Sequence, residues 1–152
     1  MPSMRKTLLP AAQAAGPPAG APAKSIRKLD YDGRPATGPI APVVVHDGLI
    51  YVSGQGANEG GPPAPLDIAV HVQRAMDSLK RLVEVAGGDM DHVLQLTVFL
   101  ASLEFYEAMN QAYRPYFPHR APARCTIAVT GIPGNSLVEF SCIAEVVRAT
   151  ES

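Results

Sequence analysis

The stretch DIAVHVQRAMDSLKRLVEVAGG, residues 67–88, decides the fold class of this chain. Its apolar residues recur at the three- and four-residue spacing that puts them on one face of an α-helix. Asp67 stands where an N-terminal cap is expected, and the glycine pair at 87–88 ends the run. The pattern predicts an amphipathic helix whose apolar face must pack on another layer of structure.

Strand-like segments lie on both sides of this helix in the sequence and predict that other layer. They are short and rich in β-branched residues, and they cover 43–45, 49–52, 93–100, 123–129 and 137–147. A second helix is predicted over 103–113, where Phe105, Met109 and Tyr113 share one face. The order β-β-α-β-α-β-β predicts an α+β fold, a mixed sheet with two helices packed on one face. Two helices leave part of an apolar sheet uncovered, so we expect a homo-oligomer.

The N-terminal segment differs in composition from the rest of the chain. Residues 1–25 are rich in Ala, Pro and Gly and carry no acidic residue, which predicts a disordered basic tail before a single domain over 26–152. Its start faintly resembles a signal peptide, but Pro10 breaks the short apolar stretch, so we expect a cytoplasmic protein. The sequence contains no apolar run of the ~18 residues needed to cross a bilayer, so no membrane partner is expected.

The charge distribution argues against a nucleic-acid partner. The first 28 residues carry five basic and no acidic residues, whereas the remainder carries eight basic and fourteen acidic ones. The predicted domain is therefore acidic and repels phosphate backbones at long range. A ribonuclease-like function is disfavoured for the same reason.

No pattern of metal ligands is visible. Cys125 and Cys142 are isolated and lie in apolar strand-like stretches, so buried free thiols are favoured over a disulfide. The four histidines have no ligand spacing, and His71 and His92 are assigned to exposed or helix-end positions. We therefore expect neither a metal nor a cofactor.

Two charged residues stand where a core residue would be usual. Glu139 lies within an apolar run, although an outward-facing strand residue would give the same pattern. Arg124 opens the preceding strand, where its guanidinium could bind a carboxylate or form an ion pair at the rim. Since one short turn joins the two strands, we expect Arg124 and Glu139 to lie near each other in the sheet.

Several spaced motifs resemble those of the Rid/YjgF family of reactive-intermediate deaminases. They are GP at 38–39 with LIYVSGQ at 49–55, TVFL at 97–100 with MNQAY at 109–113, and APARCT at 121–126 with IP at 132–133 and VEFSCIA at 138–144. The likeness covers roughly residues 36–148. It implies a chorismate-mutase-like fold assembled as a homotrimer, with active sites in the clefts between subunits.

The resemblance also implies an activity and a set of site residues. The activity is hydrolysis of small enamines or imines, such as 2-iminoacids, to a carbonyl compound and ammonia without a cofactor. Arg124 matches the arginine that binds the carboxylate of the small-molecule substrate, and Glu139 matches the acid that orients or activates the water. The positions that line the pocket are Ser53, Gly54, Asn110, Cys125 and Thr126.

This chain departs from the family pattern at two positions. Ile40 follows the opening Gly-Pro where the family usually has a tyrosine, and Ser141 stands where a second acid is often found. The loss of a phenol keeps two alternatives open beside the small-iminoacid deaminase. One is a pathway-dedicated deaminase of a larger amino-diene or cyclic imine, and the other is a non-catalytic regulatory trimer that binds small molecules.

Overall fold

The computed structural model describes residues 25–58 and 60–147. The predicted disordered tail, 1–25, lies outside the described residues except for Ser25.

Six strands, one more than predicted, form one mixed sheet, which confirms the predicted α+β fold. The strands are β1 (Ile26–Leu29), β2 (Val43–His46), β3 (Leu49–Gly56), β4 (Val93–Leu100), β5 (Ala123–Ala128) and β6 (Val138–Glu145). Their order across the sheet is β1-β2-β3-β6-β4-β5, and only the β4–β5 pair is parallel. The sequence pattern missed β1, an edge strand that pairs with β2 and places two basic residues among its four.

Two helices cover one face of the sheet. Helix α1 spans Ile68–Val85, and α2 spans Tyr106–Tyr113 after a 3₁₀ turn at Leu103–Phe105. The Asp67 carboxylate caps α1 by accepting a hydrogen bond from Ala69 N at 2.9 Å, as expected. Gly87, with φ +94°, follows the last turn in a conformation that a side chain would strain.

The core lies between the helices and alternate residues of the central strands. Helix-facing positions on β3, β4 and β6 are fully or almost fully buried, for instance Ile50, Leu96 and Phe140. Each such side chain contributes ~1.5–3 kcal/mol through burial. The opposite face has no helix among the described residues and displays Tyr51 and Ile127, which are 41% and 46% exposed.

The expectation that the last two strands lie next to each other in the sheet is wrong. The chain passes from β4 through α2 to the parallel strand β5, a connection that puts β5 beside β4 at the sheet edge. Strand β6 then pairs with the other edge of β4 and with β3, so it is bonded on both sides. Strand β4 therefore separates β5 from β6.

Within the described residues, no helix is long and apolar enough to span a membrane.

Candidate active site

A β-bulge in β3 forms one half of the candidate site. The register with β6 shifts between Val52 and Gln55, which are paired with Cys142 and Phe140. Two residues of β3, Ser53 and Gly54, therefore lie opposite one residue of β6. The Glu139 side chain on β6 lies directly over Gly54. A Cβ built on this glycine would be 2.7 Å from Glu139 Cδ and 2.9 and 3.0 Å from its two carboxylate oxygens. Only glycine leaves the carboxylate in this place.

The bulge also ties the loop that carries Ile40 to the site. The Ser53 hydroxyl donates to the Ala41 carbonyl at 2.7 Å, and Ser53 N donates to the Pro42 carbonyl at 2.9 Å. These bonds hold Ile40, which is 71% exposed, one residue from the contact with Ser53. Ile40, which departs from the pattern that the motifs resemble, therefore lies at the solvent-exposed rim of this half-site.

Arg124 forms the second half of the site with tyrosines of α2. Its guanidinium carbon lies 4.9 Å from the centre of the Tyr113 ring and 5.8 Å from that of Tyr106. Its Nη2 donates to the Tyr106 hydroxyl at 3.4 Å. Burial raises the pKa of Tyr113, and the positive charge of Arg124 opposes this shift. The arginine is thus oriented by two aromatic rings, and no salt bridge involves it within the described residues.

Two further predicted residues share this half. Asn110 lies one turn after Tyr106 on α2, and its amide has no hydrogen bond within the part of the chain that the structure describes. The Thr126 hydroxyl oxygen is buried and, among the described residues, is the one buried side-chain polar atom without a partner. Such an atom costs free energy unless a ligand or water bonds to it.

The two halves do not meet within one chain. Arg124 is paired with the core residue Leu96 and faces the helices, whereas Glu139 is paired with Phe99 and faces the opposite side. They also lie on strands separated by β4, roughly 10 Å apart across the sheet. The expectation that Arg124 and Glu139 lie near each other is therefore wrong for a single subunit.

The cysteines have different environments. Cys142 is a buried free thiol, as expected, and burial raises its pKa to about 12. Cys125 is also free but exposed, which contradicts the expectation of burial. It is paired with Thr97, so it lies on the helix-free face, opposite to Arg124 and Thr126.

The sequence pattern did not predict that the side chain of Gln55 is buried. Alternation from Ile50 and Val52 would place Gly54 toward the helices and Gln55 outside. The bulge adds one residue and turns the Gln55 amide inward, where it is 1% exposed. The available signal for this buried position was one larger polar residue, Gln55, within the run of small residues at 53–56.

His71 lies in the first turn of α1, at a helix end as one alternative expected, but it is fully buried and not exposed. Leu137 N donates to its Nδ1 at 3.0 Å, and its Nε2 lies 2.9 Å from the Pro65 carbonyl, so Nε2 carries the proton. The ring therefore links the start of α1 to the turn before β6. No group of three or more acidic, histidine or cysteine side chains in residues 25–58 and 60–147 is arranged to hold a metal.

Comparison with known proteins identifies the family. The family model described as endoribonuclease L-PSP matches residues 32–146. The 2-iminobutanoate/2-iminopropanoate deaminase of Mus musculus is 32% identical over 111 residues, which cover 72% of this chain and 82% of the mouse protein. Mitochondrial protein mmf2 of Schizosaccharomyces pombe is 33% identical over 110 residues, covering 70% and 87% of the two chains. The structure of YyfA from Yersinia pestis, a Rid-family protein, matches with a TM-score of 0.72 at 28% identity, over 82% of this chain and 100% of YyfA.

This chain belongs to the endoribonuclease L-PSP family, the family also named Rid/YjgF. The resemblance seen in the sequence motifs is confirmed.

Proposed function

We propose that this protein is a hydrolytic deaminase of small 2-iminoacids that produces the corresponding 2-oxoacid and ammonia. The observation that carries the proposal is the presence of Arg124 and Glu139, in motifs that resemble the family's carboxylate-binding and water-activating positions, in a chain 32% identical to a named 2-iminobutanoate/2-iminopropanoate deaminase. The aromatic contacts around Arg124 and the glycine beneath Glu139 support these roles, because each places a charged group in a defined orientation.

The reaction needs a carboxylate anchor, a water molecule and one proton-transfer group. Arg124 binds the substrate carboxylate, which converts a bimolecular attack into a positioned one. Water adds to the carbon of the C=N bond while Glu139 accepts a proton from the water and passes it to the imine nitrogen. The carbinolamine then loses ammonia as the C–N bond breaks and the C=O bond forms, and Glu139 carries the hydroxyl proton to the leaving nitrogen. Each atom is accounted for by substrate and water, so the proposed reaction requires no cofactor.

The proposed active unit is a homotrimer with each site shared between two subunits. The helix-free face of the sheet supports oligomerisation, because it exposes large apolar side chains such as Tyr51 and Ile127 to solvent in a single chain. The opposite orientations of Arg124 and Glu139 support sharing, because one substrate can touch both only if they come from different subunits. We place this assembly in the cytoplasm and assign it no membrane or nucleic-acid partner.

One observation favours a second candidate, the deamination of a larger amino-diene or cyclic imine. Ile40 puts an exposed alkyl group at the rim of the bulge where the family usually has a phenol. An alkyl group adds apolar surface and removes a hydrogen-bond donor, which favours a bulkier and less polar substrate.

The direct test is turnover of freshly generated 2-iminobutanoate and 2-iminopropanoate, followed as ammonia release above the uncatalysed rate. Arg124→Ala is compared with wild type and with Arg120→Ala, a control that removes an exposed arginine from the loop before β5. Loss of charge-assisted hydrogen bonds worth ~3 kcal/mol lowers kcat/KM about 100-fold in Arg124→Ala. The control retains wild-type kinetics.

Three results would contradict the proposal. Wild-type kcat/KM in the Arg124 variant would remove the carboxylate-binding role. Turnover of cyclic imines alone would favour the second candidate. Saturable binding of iminoacid analogues without any turnover would indicate the non-catalytic binding trimer.

A further inference from the structure

The amide of Gln55 is buried in the layer between the sheet and the helices, where most side chains are apolar. On β3 and β6 its helix-facing neighbours include Val52 and Phe140, and Gln55 itself is 1% exposed. A buried amide destabilises a core unless its donors and acceptors are bonded. We therefore asked which hydrogen bonds satisfy the buried amide and what those bonds hold in place.

All the hydrogen-bonding capacity of this amide is used. Nε2 donates to the carbonyls of Ser53 at 3.0 Å and Gly54 at 3.1 Å. Oε1 accepts from the hydroxyls of Ser78 at 2.6 Å and Tyr31 at 3.1 Å. The two carbonyls can only accept, so they fix which end of the amide carries the N–H groups.

The bonds hold the backbone at the point where strand pairing is irregular. Both carbonyls bonded by Nε2 belong to the two bulge residues, and the register is regular again at Gln55 itself. The hydroxyls on Oε1 come from α1 and from the loop after β1, so the bulge is anchored to two other parts of the fold. The hydrogen bonds of the Gln55 side chain thus hold the bulge backbone where regular strand pairing is missing.

The backbone of the bulge at Gly54 is in contact with the Glu139 carboxylate of the proposed site. A Cβ on Gly54 would overlap the Glu139 carboxylate, so a shift of the bulge by a few tenths of an ångström moves or releases that group. Gln55 faces the helices and Glu139 faces the opposite side. Gln55 can therefore influence the carboxylate only through the backbone of the bulge.

We propose that Gln55 is a positioning residue for Glu139, acting through the bulge at Ser53 and Gly54, with Tyr31 and Ser78 orienting its amide. The inference rests on the proposed deaminase function. Loss of the amide lowers kcat about 10- to 100-fold, the range expected for a displacement of up to an ångström. KM stays within about twofold of wild type, because Arg124 lies on β5, which β6 and β4 separate from the bulge in β3.

The test is a double-mutant cycle of Gln55→Met with Glu139→Gln, with kcat and KM measured for the four proteins on 2-iminobutanoate. Gln73→Met, an exposed glutamine of α1, is the matched control. A general base contributes about 10²- to 10⁴-fold, so Glu139→Gln leaves a slow turnover that higher enzyme concentrations make measurable. If Gln55 acts through Glu139, its substitution costs nothing further in the Glu139→Gln background.

Each outcome decides the matter. An equal loss of kcat in both backgrounds, or no loss in either, would overturn the inference while wild-type turnover upholds the proposed function. A wild type that turns over no iminoacid would overturn the proposed function and this inference with it. If circular dichroism shows that Gln55→Met is unfolded, Ser78→Ala enters the same cycle. It removes only the 2.6 Å partner of the amide, and an about threefold loss of kcat confined to the Glu139 background is expected.

Discussion

Gly54→Ala tests whether the position of Glu139 governs activity. The added methyl carbon would lie 2.7 Å from Glu139 Cδ, so the carboxylate has to retreat by roughly 0.8 Å to reach an ordinary carbon–carbon contact. Glu139 can yield by rotating its side chain, so the free energy of unfolding falls by only about 1 kcal/mol. A displacement of this size lowers kcat on 2-iminobutanoate roughly 10- to 100-fold. The measurements are ammonia release and thermal unfolding.

Two other glycines serve as controls for this variant. Gly61→Ala puts a methyl group into open space, and both activity and stability remain unchanged. Gly88→Ala puts its methyl 2.9 Å from the backbone carbonyl of Glu145 and 2.7 Å from Ile50 Cδ1 in the core. It lowers the melting temperature but leaves kcat per folded molecule intact. A Gly54→Ala enzyme with wild-type kcat would refute the reasoning, as would an activity loss that only tracks loss of folded protein.

Three further predictions concern the rim, the tail and the core. Ile40→Tyr restores a hydrogen-bond donor and raises kcat/KM on small iminoacids by up to about tenfold, at the expense of bulky substrates; unchanged kinetics on both would place Ile40 outside the site. A chain beginning at Lys24 unfolds at the temperature of the full chain, because residues 1–23 have little apolar surface to bury, and a clear drop would contradict this. The Cys142 thiol, whose pKa burial raises to about 12, resists alkylation at pH 8 until the protein unfolds, as peptide mass spectrometry would show.

The main helix and its sheet could be predicted because local signals agree with the tertiary structure. The residues after Asp67 satisfy cap, spacing and stop signals at once, and α1 spans Ile68–Val85. Strand β1 had no such support. Its sequence IRKL places two charges in four residues, and its structure depends on pairing with β2.

The arrangement of the site depends on features that have no local signal. Sequence order suggests that β5 and β6 are neighbours, but the pairing of β6 with both β3 and β4 is a long-range choice. The bulge before Gln55 likewise shifts the alternation by one residue, and a single polar residue among small ones does not fix where the extra residue lies. Motif matching found Arg124 and Glu139 individually, whereas only the fold places them on opposite faces of the sheet.

The central claim is that an iminoacid site takes Arg124 from one subunit and Glu139 from another. Its most direct test mixes subunits of two variants, Arg124→Ala and Glu139→Gln, each of which is nearly inactive alone. The two variants are co-expressed with different tags, and native mass spectrometry verifies that mixed trimers have formed before ammonia release is measured. Random assembly gives both intact residues at about one quarter of the interfaces, so the mixture recovers about a quarter of the wild-type rate. Mixed trimers no more active than the two parents would contradict the account.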